Sequence, residues 1–383
     1  MAPQRRPRSA PSLMDDVVGE ILLRVAPDEP AHLIRAAVVC KSWRRILLDP
    51  GFPRRYREFH RTPPLLGILF SYNQHGPLFL PAATTTAPPF SPPDFTPDSL
   101  WTLDCRHGRV LFYSFYTRDL ILWDPVNGDQ RRLSSPRPLN TSIHFSAAVL
   151  CAAKCCDHLD CHGGPFLVVF AGSNVAGGDT WVSEYLSETG AWSASTNIDR
   201  EAHMTEMRPN LFTGDAVYFI IGLGRAILKY ELGSRCLSLI DAPGVHKMGI
   251  AMMVEDGGLG FAGVKDHNLC LWSWKANAKG IASWVWLRDI ELTTLLPVPK
   301  KYVKVSPHVS GFVEGTDTIF ISTDDSIFTL KLKSRQIRKV GHALGYGGIL
   351  PYMSFYTPDC RMTLLLIEAI YADVQKPRPQ EKY

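Results

Sequence analysis

The stretch LILWDPVNGDQRRL, residues 120–133, decides the fold of most of this chain, because its plan recurs four more times. An apolar strand enters a turn built of Asp, Asn and Gly, and a more polar strand leaves it, which is the pattern of a β-hairpin. The later stretches with this plan are residues 181–195, 226–240, 269–290 and 326–340. Successive turns are roughly 43 to 62 residues apart, which indicates repeated units of three or four antiparallel strands.

An apolar run that we interpret as an inner strand precedes each hairpin. These runs are residues 108–115, 165–173, 215–223, 257–264 and 317–323. Residues 349–357 and 362–371 remain at one end and residues 64–72 at the other, so both ends of the chain are expected to form a sixth unit. Such closure removes exposed sheet edges. The pattern therefore predicts an all-β domain, a six-bladed β-propeller, and the alternative is a β-sandwich or two stacked sheets.

The segment before these repeats has helical rather than strand periodicity. Ser12 and Asp15 have the spacing of a capping box and predict the start of a first helix with a wide apolar stripe. Asp28 is expected to cap a second helix, whose apolar face is Leu33, Ala36, Cys40, Trp43 and Leu47. A unit of two or three such helices is too small to be robust alone. Its apolar surface is expected to meet another protein or, as the alternative, the larger domain.

Composition divides the chain into four parts. Residues 1–12 are rich in Pro, Arg and Ser and are expected to be a disordered leader. We predict a helical domain over residues 13–61, a propeller-like domain over 62–371 and a disordered tail over 372–383. Within the propeller, the proline-rich residues 77–97 are expected to form an extended surface loop rather than a helix or a central strand.

The helical segment resembles the F-box. The residues that carry the resemblance begin with Leu13, Asp15 and Asp16 and continue through EILLRV at 20–25, Pro27, Leu33, Arg35, VCKSWR at 39–44 and DPGF at 49–52. The resemblance implies three short helices that bind the Skp-type adaptor of a cullin-RING ubiquitin ligase. The adaptor contacts that it implies are Leu13, Ile21, Leu22, Pro27, Leu33 and Val39. Cys40 and Trp43 are expected to form the small internal core.

The body of the chain resembles the propeller found behind the F-box in a large group of plant proteins, especially of grasses. CRHGRVLF at 105–112, MRPNLFTGDAVYF at 207–219 and ILPYMSFYTPD at 349–359 carry this resemblance. It implies a substrate-receptor subunit that recruits a target protein, whose identity the sequence does not reveal, for ubiquitination. Such a subunit is not an enzyme. The alternatives are a propeller that senses a ligand and a structural adaptor that acts outside the ligase.

Charge and cysteine usage restrict the partners and the compartment. Residues 1–61 contain 12 Lys and Arg against 7 Asp and Glu, which leaves 29 against 30 in the rest of the chain, so no nucleic-acid partner is indicated. Nine cysteines without a signal-like apolar segment indicate reduced thiols in the cytoplasm or nucleus. No apolar run approaches the roughly 18 residues of a spanning helix, so no membrane partner is expected.

One segment has the composition of a metal site. CAAKCCDHLDCH, residues 151–162, offers Cys151, Cys155, Cys156, His158, Cys161 and His162 as soft ligands. Their spacings are crowded rather than paired, so a solvent-facing connection between strands is the expectation and zinc or redox chemistry the alternative. The sequence also lacks a G-x-S-x-G nucleophile elbow and a phosphate-binding loop. We therefore predict no catalytic residues, no metal and no cofactor.

Overall fold

The computed structural model describes residues 14–29, 31–71, 76–82, 100–138, 143–174, 178–198, 205–244, 248–296, 307–342 and 348–357. The chain divides into two compact units, of which Leu65–Ser354 is one and Met1–Pro64 with Phe355–Tyr383 is the other. The predicted leader, residues 358–371 and the predicted tail lie outside the described residues, as does Leu13.

The described part of the helical unit contains four helices, one more than predicted. They are α1 (Asp15–Leu23), α2 (Ala31–Val39), α3 (Lys41–Leu47) and α4 (Phe52–His60). None of the helices in the described ranges is long and apolar enough to cross a membrane.

The predicted second helix is wrong in its continuity, because it is broken at Cys40. This residue is extended, with φ −157° and ψ 166°, and its carbonyl accepts the N–H of Arg44 at 3.1 Å as the N-cap of α3. The β-branched pair Val38 and Val39 precedes the break and favours helix weakly. The N-cap of α1 is Met14, which makes no side-chain capping bond.

Aromatic and aliphatic side chains from all four helices form the core of the helical unit. Its buried residues are Val18, Leu22, Leu23, Leu33, Ala36, Ala37, Leu47, Phe52 and Tyr56. The hydroxyl of Tyr56 donates to the carbonyl of Val25 at 2.7 Å, and Phe355 meets the Tyr56 ring edge-on at 6.3 Å. Asp15 joins α1 to α3 through Ser42, at 2.6 Å, and through Arg45. These two donors hold the pKa of the Asp15 carboxyl below its usual value.

The other unit is a six-bladed β-propeller, as the repeats predict. Five blades are built from strands that are antiparallel and consecutive in the chain. The first blade is β3 (Leu100–Arg106), β4 (Arg109–Ser114), β5 (Asp119–Trp123) and β6 (Gln130–Ser134). The second is β7 (Ile143–Cys151), β8 (Phe166–Asn174), β9 (Asp179–Leu186) and β10 (Ala191–Trp192), with β11 (Thr196–Ile198) also paired to β9.

The next three blades repeat this plan. The third is β12 (Leu211–Thr213), β13 (Ala216–Ile221), β14 (Ala226–Glu231) and β15 (Cys236–Asp241). The fourth is β16 (Ile250–Met253), β17 (Leu259–Lys265), β18 (Asn268–Ala276) and β19 (Ala282–Glu291). The fifth is β20 (His308–Phe312), β21 (Thr318–Ser322), β22 (Ile327–Lys331) and β23 (Ile337–Gly341). Apolar side chains fill the layers between neighbouring blades.

Both ends of the propeller unit build the sixth blade, as predicted. It contains β1 (Leu65–Ser71), β2 (Pro77–Pro81) and β24 (Leu350–Met353), and β1 lies between the other two. Leu69 of β1 is opposite Leu350 of β24 in an antiparallel register. The prediction of a loop is wrong for Pro77–Pro81, since an edge strand tolerates prolines at its ends. Residues 83–97 of the predicted loop lie outside the described residues.

The runs that we predicted as inner strands are the second strands of their blades. The innermost strands are β3, β7, β12, β16, β20 and β24, which contact one another around the centre of the propeller. Several are only three to five residues long and carry small or polar residues, as in HVSGF of β20. They therefore lack the long apolar pattern by which the second strands are recognised.

Candidate functional site

The predicted adaptor contacts fall into two groups. Ile21 and Val39 are 47% and 63% exposed, whereas Leu22 and Leu33 are each 1% exposed and belong to the core of the helical unit. Pro27 is half-buried, and Leu13 lies outside the described residues. The structure thus leaves Ile21, Val39 and part of Pro27 accessible to a partner, and gives the two leucines a structural role within the chain.

The predicted internal core of the F-box is wrong for Cys40. Its thiol is exposed, because the residue lies in the extended break between α2 and α3 and not on a buried helical face. Trp43, the other predicted core residue, is half-buried. The sequence-based prediction missed Phe52 and Tyr56, which are fully buried in α4. The aromatic residues of FPRRYREFH, residues 52–60, were the available signal.

In the described part of the helical unit, all of the exposed large apolar side chains except Phe59 lie at α1 or at the end of α2. We define this set as the exposed helical surface: Met14, Val17, Ile21, Val38 and Val39. Val17 and Ile21 are four residues apart and therefore share a face of α1. Apolar side chains in such a small unit that remain exposed, although a core is available, are typical of a protein-binding surface.

A buried charged cluster joins several blades near the centre of the propeller. Arg106 at the end of β3 donates to both carboxylate oxygens of Asp104, to the side chain and backbone oxygens of Asn210, and to Glu314 at 2.6 Å. Asp104 also accepts the N–H of Val149 at 2.8 Å. Burial raises the pKa of Asp104 to about 6, and the positive charge of Arg106 limits the rise.

An Asp–His–Ser arrangement was also missed from the sequence. Nδ1 of His162 is 2.8 Å from Oδ2 of Asp124, and its Nε2 is 3.3 Å from Oγ of Ser354. Asp124 also accepts the backbone N–H of Val126 within its own turn. Ser354 is only 4% exposed. A serine nucleophile must reach its substrate, so this arrangement joins three chain segments rather than forming an accessible catalytic site.

The Cys and His side chains of residues 151–162 are not simply a solvent-facing connection. The donor atoms of Cys151, Cys156, His158 and Cys161 all lie within 4.8 Å of one another. Cys155 is exposed and does not belong to this group, and His162 points to Asp124 instead. Cys161 is buried, which raises the pKa of its thiol.

A groove of about 640 Å³ lies between the fourth and fifth blades. Met252, Trp272 and Leu287 contribute apolar wall, and Glu255, Arg288 and Lys333 contribute charge. Beside it, the outer strand β19 and the turn before it expose Ile281, Val285, Trp286 and Leu287. The outer strands β6 and β23 expose arginine and lysine instead. Within the described ranges, β19 is therefore the apolar outer edge of the propeller.

Comparison with known families agrees with this architecture of an F-box followed by a propeller. The F-box domain model matches residues 11–55. A model described as "F-box protein AT5G49610-like, beta-propeller" matches residues 101–359, which is more than half of the chain. The chain therefore belongs to the family of F-box proteins with this propeller. No curated protein matches its sequence.

Solved structures provide only distant similarities. A protein of unknown function from Bacteroides caccae is 10% identical, with a TM-score of 0.45, over 75% of this chain and 98% of that chain. A chain of a nidogen/laminin complex is 11% identical, with a TM-score of 0.43, over 76% and 99%. A streptogramin B lyase is 11% identical, with a TM-score of 0.38, over 72% and 73%. At these TM-scores the similarities carry no argument about function.

Proposed function

We propose that this chain is the substrate-receptor subunit of an SCF-type cullin-RING ubiquitin ligase. The F-box binds the Skp-type adaptor, which connects it to the cullin and RING subunits, and the propeller recruits a target protein. The observation that carries the proposal is the exposed helical surface in a domain of the F-box family. Burial of such apolar side chains contributes about 25 cal/mol per Å² of apolar area to binding.

The chain contributes proximity rather than bond-making in this mechanism. A target held by the propeller presents its lysines to the charged ubiquitin carrier at a high effective concentration. The surface that we favour for the target is the apolar edge of β19 together with the adjacent groove, because exposed aromatic and aliphatic groups next to a cleft are typical of recognition surfaces. The cytoplasm and the nucleus are the compartments in which this function is expected.

A propeller that senses a ligand is the second candidate. The groove between the fourth and fifth blades has a volume within the range of small-molecule sites, which is about 300 to 1,000 Å³. Its wall combines apolar side chains with a few charged ones, as such sites do. A sensor of this kind does not require that the helical unit bind an adaptor, and this difference separates the two candidates experimentally.

Adaptor retention tests the proposal. We expect the full chain to co-purify with the Skp-type adaptor, and Ile21→Asp or Val39→Asp to reduce the retained adaptor at least tenfold, because a carboxylate would be desolvated in the apolar interface. Ile281→Asp is the matched control, since Ile281 is 62% exposed but lies in the propeller. Leu22→Asp is unsuitable, because Leu22 is a core residue and its substitution would unfold the helical unit.

The outcomes separate the candidates. Failure of the folded native chain to retain the adaptor would leave the sensor as the better explanation. Equal retention by Ile21→Asp, Val39→Asp and Ile281→Asp would show that the exposed helical surface is not the interface. If the adaptor is retained but a cullin does not join the complex, the chain acts as a structural adaptor outside the ligase.

A further inference from the structure

We propose that Cys151, Cys156, His158 and Cys161 form a structural zinc site that fixes the loop between β7 and β8. The four residues follow the order C-x4-C-x-H-x2-C within the second blade. Cys151 ends β7, and the other three lie in the loop that leads to β8. This site is independent of adaptor binding, since all of its residues belong to the propeller unit.

Two of the six separations between the donor atoms match those around a tetrahedral zinc ion, and all four atoms lie within 4.8 Å of one another. Sγ of Cys156 is 3.7 Å from Sγ of Cys161, which is 3.6 Å from Nδ1 of His158. With Zn–S about 2.3 Å and Zn–N about 2.0 Å, tetrahedral geometry places two sulfurs about 3.8 Å apart and a sulfur and a nitrogen about 3.5 Å apart. A disulfide requires about 2.05 Å between its sulfurs. The distance between the two sulfurs therefore fits two ligands of one zinc ion and is too long for a disulfide.

The loop needs a cross-link because it has little core of its own. Among residues 152–165 only Cys161 is buried. Cys155 and His158 adopt positive φ values of 55° and 57°, which are unfavourable for residues other than glycine. Loops of this length without secondary structure are uncommon and need stabilisation from outside regular structure. Metal binding supplies such stabilisation, because the coordination energy contributes directly to folding.

Neighbouring groups hold the loop in a conformation suited to ligation. Arg109 donates to the carbonyls of Cys161 and Gly164, and His162 is fixed by Asp124. The backbone N–H of His158 donates to Sγ of Cys156 at 3.4 Å. Three sulfurs and one imidazole are soft ligands, which select zinc over magnesium or calcium. Four protein ligands close the coordination sphere and indicate a structural site.

Metal analysis of the full-length chain tests the site. We expect about one zinc ion per chain after purification or after addition of zinc chloride, and at least a tenfold loss of bound zinc in Cys156→Ser and His158→Ala. Cys155→Ser is the matched control, because Cys155 is exposed, adjacent to Cys156 and outside the converging group. Cobalt(II) added to the apo chain should give the intense visible absorption of a tetrahedral thiolate site, and His158→Cys should retain it.

Two results would overturn the proposal. One is a native chain that folds but binds neither zinc nor cobalt(II), or that contains a Cys156–Cys161 disulfide under reducing purification. The other is a Cys155→Ser variant that loses as much zinc as Cys156→Ser, which would mean that the thiols bind without selectivity. Circular dichroism of each variant separates loss of the site from loss of the fold.

Discussion

Gly108 and Gly128 have nearly the same backbone conformation but very different surroundings. Their φ angles are +73° and +74°. A Cβ atom at Gly108 would lie 2.4 Å from Cε1 of His162, whereas at Gly128 it would meet no atom within 4 Å. Both alanine substitutions incur the left-handed penalty of about 1 to 2 kcal/mol, but only Gly108→Ala displaces His162 from Asp124. We expect the free energy of unfolding of the Gly108→Ala variant to fall by about 1 kcal/mol more than that of the Gly128→Ala variant.

Urea unfolding of both variants measures this difference. The difference between the two variants does not include the backbone's contribution to the loss of stability, because both positions require positive φ and both variants incur that cost. Equal losses of stability would mean that the His162 ring rotates away at no cost and that its bond to Asp124 stabilises nothing.

At the scale of the elements, the Arg106 cluster ties the innermost strand β3 to other blades. Arg106 and Asp104 are buried, with side chains 7% and 2% exposed. Removal of one partner from a buried ion pair leaves an uncompensated charge, which costs about 3 to 5 kcal/mol. We therefore expect Arg106→Met to lower the free energy of unfolding by this amount. Asp104→Asn in the same chain should recover part of the loss, because the buried carboxylate of Asp104 is then removed and only the partly exposed carboxylate of Glu314 is left without its cation.

A double-mutant cycle in urea checks the coupling between these two residues. We expect a coupling energy of about 1 to 3 kcal/mol. If the two single substitutions lower the free energy of unfolding additively, the pairing is contradicted. Arg137→Met is the control, because it removes a half-exposed ion pair with Asp179 at 3.3 Å.

At the scale of the whole molecule, the propeller is closed by strands from opposite ends of its sequence. A chain that begins at Leu65 keeps β1 and β2, whereas a chain that begins at Leu100 leaves β24 without a partner. We expect the first to be monomeric with one cooperative thermal transition. The second should aggregate, since an unpaired apolar strand edge is exposed. Size-exclusion chromatography and circular dichroism on heating measure both properties.

A chain from Leu100 that remains monomeric and melts at the same temperature would contradict this role of β1 and β2. The chain from Leu65 is the control for loss of the helical unit alone. Its behaviour also reports whether the propeller unit folds without the F-box.

The sequence by itself determined the features that arise from short-range chemistry. Apolar and more polar strands on either side of Asn-Gly and similar turns predicted the hairpins of five blades. The strands that remained at both ends of the repeats predicted the sixth blade. The helical periodicity and the residues from Leu13 to Phe52 were enough to recognise the F-box. In each case the signal lies within one element or its turn, where backbone preference and side-chain periodicity act directly.

Only the tertiary structure decided what depends on distant residues meeting. Arg106 and Glu314 are 208 residues apart, and His162 and Ser354 are 192 apart. These contacts exist only because six blades close into a ring. Among the innermost strands, β12, β16 and β20 are only three to five residues long, and such short strands carry too little periodicity to be recognised from the sequence. The break at Cys40 and the convergence of Cys151 with Cys156, His158 and Cys161 likewise depend on backbone turns that no spacing of residue types reveals.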